Sequence, residues 1–175
     1  TLLSIRQVPD SVLRHKAKKI RSGYQSLSKL AIDMVETMHY AEGVGIAGNQ
    51  VGVLQKIAII QLPEDEEPRI LINPEITHRE GEREVEEGCL SIPGYRGLVR
   101  RSVSVKAKAL DINGKQVRIK AHDLLAQALE HEVDHLNGIL YIDHLVSKDK
   151  LWKIQPVEEE SIDEDPSLGS EHKID

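Results

Sequence analysis

The sequence predicts an α+β fold: antiparallel sheets and hairpins packed around a helix, toward the C-terminal side, that carries an H-E-x-x-H motif. Three observations predict it. Residues 102–121 alternate apolar and polar and are broken at Asn113-Gly114, the pattern of a hairpin. Two stretches, one from about Ser26 to His39 and one from about Asp123 to Asn137, repeat apolar residues with the 3.6-residue period of a helix. The short β-branched runs lie together between those helices rather than alternating with them, which argues against a parallel sheet.

Ser26 or Ser28 is placed to cap the first helix, whose apolar face carries Leu27, Leu30, Ala31, Met34, Val35 and Met38. That helix ends between His39 and Gly43. The run KIAIIQL (56–62) is short and β-branched and reads as a strand, followed by the loop PEDEEP. ILINPEIT (70–77) reads as a second strand, with EREVEEG (82–88) pairing beside it. In the hairpin, Val103, Val105, Ala107 and Ala109 alternate with Ser104, Lys106 and Lys108, and Val117, Ile119 and Ala121 alternate with Arg118 and Lys120. Asn113 and Gly114 both tolerate positive φ, which suits a tight turn. Gly138 is placed to stop the second helix.

One domain fits 175 residues. With no Phe, its core must be built from Leu, Ile, Val and Ala. The net charge of −6 is uneven: Glu158–Asp175 holds eight acidic residues and one lysine, which leaves the rest near +1. We therefore expect a folded domain over 1–157 and a solvated acidic tail over 158–175. The near-neutral body suggests no direct nucleic-acid binding, a local patch such as Arg96, Arg100 and Arg101 aside. No apolar run approaches a membrane span. The lone cysteine, Cys89, rules out an internal disulfide and suits a reducing compartment, so the expected location is the cytoplasm, with an organelle matrix as the alternative.

The stretch GVGIAGNQ (43–50) fits G-x-G-x-x-G, a dinucleotide fingerprint. A dinucleotide loop leaves a strand and opens a helix, because the helix N-terminus holds the pyrophosphate. Here a helix precedes the glycines and a strand follows them. The nucleotide reading fails on that order, leaving glycines that turn the chain or let a ligand's backbone approach.

His131-Glu132-Val133-Asp134-His135 is an H-E-x-x-H on the second helix. Residues i and i+4 stack on a helix, so both imidazoles can reach one metal ion, with Glu132 offset to handle a proton of water beside it. A merely solvated helix face would favour Glu/Lys pairs, and Lys is absent from 121–147. A third ligand is needed. The metzincin continuation has Gly138 in place but Tyr141 where its histidine belongs, and a thermolysin-type glutamate is offered only by the tail. Upstream, EEGCLS (86–91) holds Cys89, whose thiolate could close a Cys-His-His site with one position open to water. The alternative for a lone cysteine, a small buried apolar residue, sits poorly among Glu86, Glu87, Gly88 and Ser91. A silent structural-metal site would need a fourth ligand, and His122 and His144 lack helical spacing to the pair.

GVGIAGNQ, EEGCLS and HEVDHLNG resemble, in order and spacing, the three signature motifs of the peptide deformylase family: G-x-G-x-A-A-x-Q, E-G-C-L-S and H-E-x-D-H-L-x-G. The one departure is Gly48 in place of an alanine, which should loosen the loop. The likeness runs from about residue 2 to residue 150. It implies removal of the formyl group from N-formyl-methionyl nascent peptides, with Cys89, His131 and His135 as metal ligands and Glu132 as general acid/base. The side-chain amide of Gln50 and the backbone N–H of Leu90 would meet the oxyanion. The ion would be divalent, usually Fe²⁺, with Zn²⁺, Ni²⁺ or Co²⁺ as replacements. Gly43, Val44 and Gly45 would border an extended substrate, and Val85, Glu87, Gly88, Leu124 and Ala128 complete the implied substrate-binding set, with Val44, Val85, Leu124 and Ala128 walling a methionine pocket. Ribosome docking through a basic C-terminal helix, as in some members, is unsupported by so acidic a tail. The rival within the same chemistry is a Cys-His-His metallo-amidase acting on a non-formyl substrate.

Overall fold

Residues 1–154 are described by the structure, a computed structural model of the chain; the expected tail over 158–175 lies outside them. Helix α1 (Ser28–Tyr40) is followed by strands β1 (Gly45–Ala47), β2 (Ile57–Ile60), β3 (Arg69–Glu80), β4 (Arg83–Cys89), β5 (Ile92–Arg101), β6 (Ser104–Leu110) and β7 (Gln116–His122). Helix α2 (Asp123–Leu136) and strand β8 (Leu151–Lys153) complete the order. The strands form a five-stranded sheet, β1-β2-β3-β6-β7, and a three-stranded sheet, β4-β5-β8, with every pairing antiparallel.

The larger sheet is built where β-branched residues can be buried on both faces. Every residue of β2 is buried, with Ile57 opposite Ile72 and Ile59 opposite Ile70 on β3. Ala31, Met34 and Met38 of α1 pack into the same cluster as Ile46, Ile57, Ile59 and Ile72. Two flexible, fully buried methionines fill volume that a chain without Phe leaves open, each stabilising by about 1.5–3 kcal/mol. On β6 and β7 the predicted alternation holds. Val105, Ala107, Ala109, Ile119 and Ala121 lie under Ala126 and Leu129 of α2, while the even-numbered residues from Ser104 to Lys108 and from Gln116 to His122 face outward. Leu110 instead packs in the α1 cluster, and Val103, just before β6, is exposed rather than on the apolar face. A third cluster, with Ile92, Val99, Leu140 and Tyr141, anchors the smaller sheet.

Three local expectations change. The segment 82–88 does not pair with 70–77; β4 pairs with β5, with Val85 opposite Val99 and Glu87 opposite Gly97. The reason is that β3 is occupied by β6 out to Glu80 opposite Ser104, and Gly81, at φ 73°, turns the chain away. In the hairpin, Gly114 takes positive φ (82°) but Asn113 does not. Asp111 closes a longer turn, its N–H donating to Lys115 O and its carboxylate accepting from the N–H groups of Asn113 and Lys115. Finally, neither Ser26 nor Ser28 caps α1, because a 3-10 turn over Tyr24–Leu27 runs directly into it. Their hydroxyls donate to the carbonyls of Gly23 and Gln25.

The second helix is met as expected, one residue shorter, with Gly138 at φ 78° just beyond it. Helix α2 packs its Ala126 and Leu129 side on the large sheet, while Gln127 donates to Glu86 O on β4. The end of β4, the glycine stretch at β1 and the middle of α2 therefore converge.

Candidate metal centre and active site

His131, Glu132 and His135 are polar residues of α2, yet all three are buried. Cys89 reaches them from β4. A register shift between Glu87 and Cys89 breaks the alternation there, and such bulges re-aim a side chain. The ligand atoms of Cys89, His131 and His135 all lie within 4.8 Å of one another. Cys89 Sγ is 3.2 Å from His135 Nε2, which is 3.1 Å from His131 Nε2. The donor set fits a divalent ion. Nδ1 of His131 donates to the Glu87 carboxylate at 2.7 Å, so its Nε2 keeps a lone pair aimed at the other two. One thiolate and two imidazoles meeting at a point suit a borderline transition metal.

Behind His131 lies a buried chain of charges. Arg101 donates through Nη2 and Nε to the two oxygens of Glu87 (2.6 and 3.0 Å) and through Nη1 to Asp134 (2.8 Å). Gln127 Nε2 adds a bond to Glu87 at 3.0 Å, and His144 meets Asp134 at 3.0 Å. Burial alone would raise the Glu87 carboxyl, but His131 and Arg101 hold it down at about 2. It is therefore an anion at neutral pH, able to fix the ring of His131 through its N–H. The Tyr141 ring stacks over the other side of His131 at 6.3 Å between centroids.

Glu132 differs from every other acid around it. Oε1 is buried with no hydrogen-bond partner among the described residues, and burial pushes the carboxyl up to about 7. Its other oxygen rests against Gly45, where an added Cβ would collide with it. The glycine makes room for the carboxylate. Gln50, on the 3-10 turn Gly48–Val51, is held at both ends: Oε1 accepts from the Ala47 N–H (2.9 Å) and Nε2 donates to Ser91 Oγ (3.0 Å), with Cys89 Sγ at 3.6 Å. This settles which way the amide points. Leu90 follows Cys89 in the turn, and its side chain fills the space where Gly43 lacks one.

A groove of about 640 Å³ opens over these groups. Gly43, Val44, Gly45, Gln50, Gly88, Cys89, Leu90, Leu124, Ala128, His131 and Glu132 all line it. Two members of the implied substrate set have other roles. Val85 is not among the lining residues; it sits opposite Val99 and packs in the smaller sheet's apolar cluster. Glu87 borders the groove, but its carboxylate is taken up by Arg101, His131 and Gln127, behind the histidine. Sequence reasoning missed Ser91, Arg101 and the side of the groove formed by Tyr95, Arg96 and Ile154, where Ile154 N–H pairs with Gly94 O beyond β8. Ser91 lay within the quoted motif EEGCLS; nothing in the sequence singled out Arg101 from Arg100.

The sequence profile of the family described as Polypeptide deformylase matches residues 2–151. The chain is 52% identical over 153 residues to the peptide deformylase of Dehalococcoides mccartyi (strain CBDB1), covering 87% of this chain and 92% of that one. It is 49% identical over 145 residues to that of Halothermothrix orenii, covering 83% and 94%. Its fold is similar to the crystal structure of a peptide deformylase from Legionella pneumophila, with a TM-score of 0.81, 41% identity, and 86% and 89% of the two chains covered. The same holds for one from Synechococcus elongatus in complex with actinonin, at TM-score 0.80, 37% identity, and 85% and 81% coverage. With nearly all of its described length matched and about half of its residues shared with such relatives, this chain belongs to the polypeptide deformylase family.

Proposed function

We propose that Cys89, His131 and His135 hold the divalent ion of a peptide deformylase and that Glu132 moves the proton. Metal-dependent hydrolysis of an N-terminal formyl group is the activity of the family to which the chain belongs. The observation that carries the assignment of roles is the orphaned Oε1 of Glu132, a buried acceptor facing a groove beside three converging ligands. A divalent ion held there acidifies water and polarises the formyl carbonyl. Fe²⁺ is the ion we propose, with Zn²⁺, Ni²⁺ and Co²⁺ compatible with the same thiolate–imidazole set.

The protein's own groups do the rest. Glu132 takes the proton of the attacking water and returns it to the amine nitrogen as the C–N bond breaks, leaving formate and a free N-terminus. Gln50 presents Nε2–H, its orientation set by Ala47 and Ser91, and with the Leu90 N–H it stabilises the oxygen that gains charge. One such donor typically contributes about 2.7–4 kcal/mol to lowering the barrier. Gly45 opens the edge strand of the large sheet, with Gly43 and Val44 just before it, and an N-formyl-methionyl chain can add there as a further strand. Val44, Leu124 and Ala128, together with Leu90, line the groove for the methionine side chain.

Turnover of formyl-Met-Ala against acetyl-Met-Ala, measured with metal content, tests the reading. We expect hydrolysis of the formyl peptide alone, in proportion to bound metal. Equal cleavage of both would move the activity to the rival metallo-amidase class.

A further inference from the structure

The outer face of β6 and β7 carries a pattern that costs stability. In the register of this hairpin Lys106 lies directly opposite Lys120, and Lys108 directly opposite Arg118. Like charges at directly opposed positions destabilise a sheet. All four belong to the outward set, with Lys106, Arg118 and Lys120 exposed and Lys108 half-buried. Among the described residues, one acid lies within salt-bridge distance of any of them: Glu75, at 3.8 Å from Lys108. On the neighbouring β3, Glu75 and Glu80 stand at the two ends of this face with His78 between them, opposite Lys106. The cations are thus in surplus and grouped two by two. Keeping lysine on an exposed edge is a common guard against aggregation and would explain Arg118 and Lys120 on β7, the edge strand. It does not explain Lys106 and Lys108 on β6, an interior strand.

We propose that this face docks the phosphate backbone of RNA. Four cations spaced across two strands form a grid for a regularly charged chain, in line with a local patch rather than the chain's overall negative charge. A protein partner is disfavoured, because the centre of a protein interface needs apolar or aromatic anchors. From Ser104 to Lys108 and from Gln116 to His122 the outward residues are all polar: Ser104, Gln116 and His122 beside the four cations. The face is separate from the groove, none of whose lining residues it shares. It would hold the enzyme against RNA with the groove left free.

The test is fluorescence anisotropy with a short labelled single-stranded RNA over a range of salt. At roughly −0.7 per phosphate neutralised, four contacts give a slope of log affinity against log salt of about −2.8. Lys120→Glu removes one cation and neutralises Lys106 opposite it, so affinity at low salt falls at least about tenfold and the slope flattens to about −1.4. The same variant replaces a repulsive cross-strand pair with an attractive one, so its Tm rises, by up to about 4 °C. Lys16→Glu, an equal charge change at an exposed residue elsewhere, keeps most of the affinity. Both variants turn over a short formyl peptide normally, so failure here leaves the deformylase reading intact. Absence of RNA binding by the wild-type chain at low salt overturns the proposal. So do equal losses in the two variants, or binding to phosphatidylserine vesicles in place of RNA.

Discussion

Replacing Arg101 with Leu separates the scaffold of the metal centre from its chemistry. The Arg101 side chain is 3% exposed and makes three hydrogen bonds, two to Glu87 and one to Asp134. Leucine fills part of the volume but leaves the Glu87 carboxylate, 5% exposed, without its cation. Asp134, at 13%, keeps only His144. Breaking a buried pair by removing one partner costs about 3–5 kcal/mol. For a chain of this size that lowers Tm by roughly 10 °C. The second consequence falls on the metal. With its counter-cation gone, Glu87 is a poorer acceptor for the His131 N–H, and loss of such an orienting partner weakens metal binding by about 10–100-fold. Urea unfolding of the metal-free variant reads the first effect, and competition with a chromogenic chelator reads the second. A destabilisation below about 1 kcal/mol, or a metal affinity within twofold of the wild type, would refute the claim that this charge chain supports the site.

Three further outcomes follow from the same geometry. Glu132→Gln keeps its metal but loses on the order of a hundredfold or more in kcat, whereas His135→Ala loses metal and activity together; metal analysis beside single-turnover rates checks both. Gly48→Ala, which restores the family's usual residue, lowers stability by about 1–3 kcal/mol in a thermal melt, because its Cβ would come within 2.7 Å of the carbonyls of both Val53 and Gln55. The departure at Gly48 therefore goes with a backbone drawn in close, not with a loosened loop. The hydrogen bond to Asp134 raises the pKa of His144 above the ordinary histidine value of about 6.5. Its contribution is fully present below that value and is lost as pH rises through the raised folded pKa, so stability should decline there and His144→Asn should flatten the decline.

How much of this was legible in the chain follows from how far apart the interacting residues lie. The second helix, its paired histidines and its stop at Gly138 are set by period and by local backbone preference, so the sequence by itself determined them. The same is true of the alternation in β6 and β7, since a strand's two faces are written in every second residue. The pairing of β4 was not legible. A short run such as EREVEEG carries no mark of its partner, and only the occupation of β3 by β6 sends it to a second sheet. The resemblance put Val85 and Glu87 with the substrate, while tertiary packing gave one to an apolar cluster and the other to His131. Arg101 reads no differently from Arg100 until the register buries the first. A motif names the residue types a reaction needs. Which carboxylate is left without a partner among the described residues, as Glu132 is, and which is neutralised, as Glu87 is, depends on groups 14 to 44 residues away that only the folded chain brings within hydrogen-bond reach.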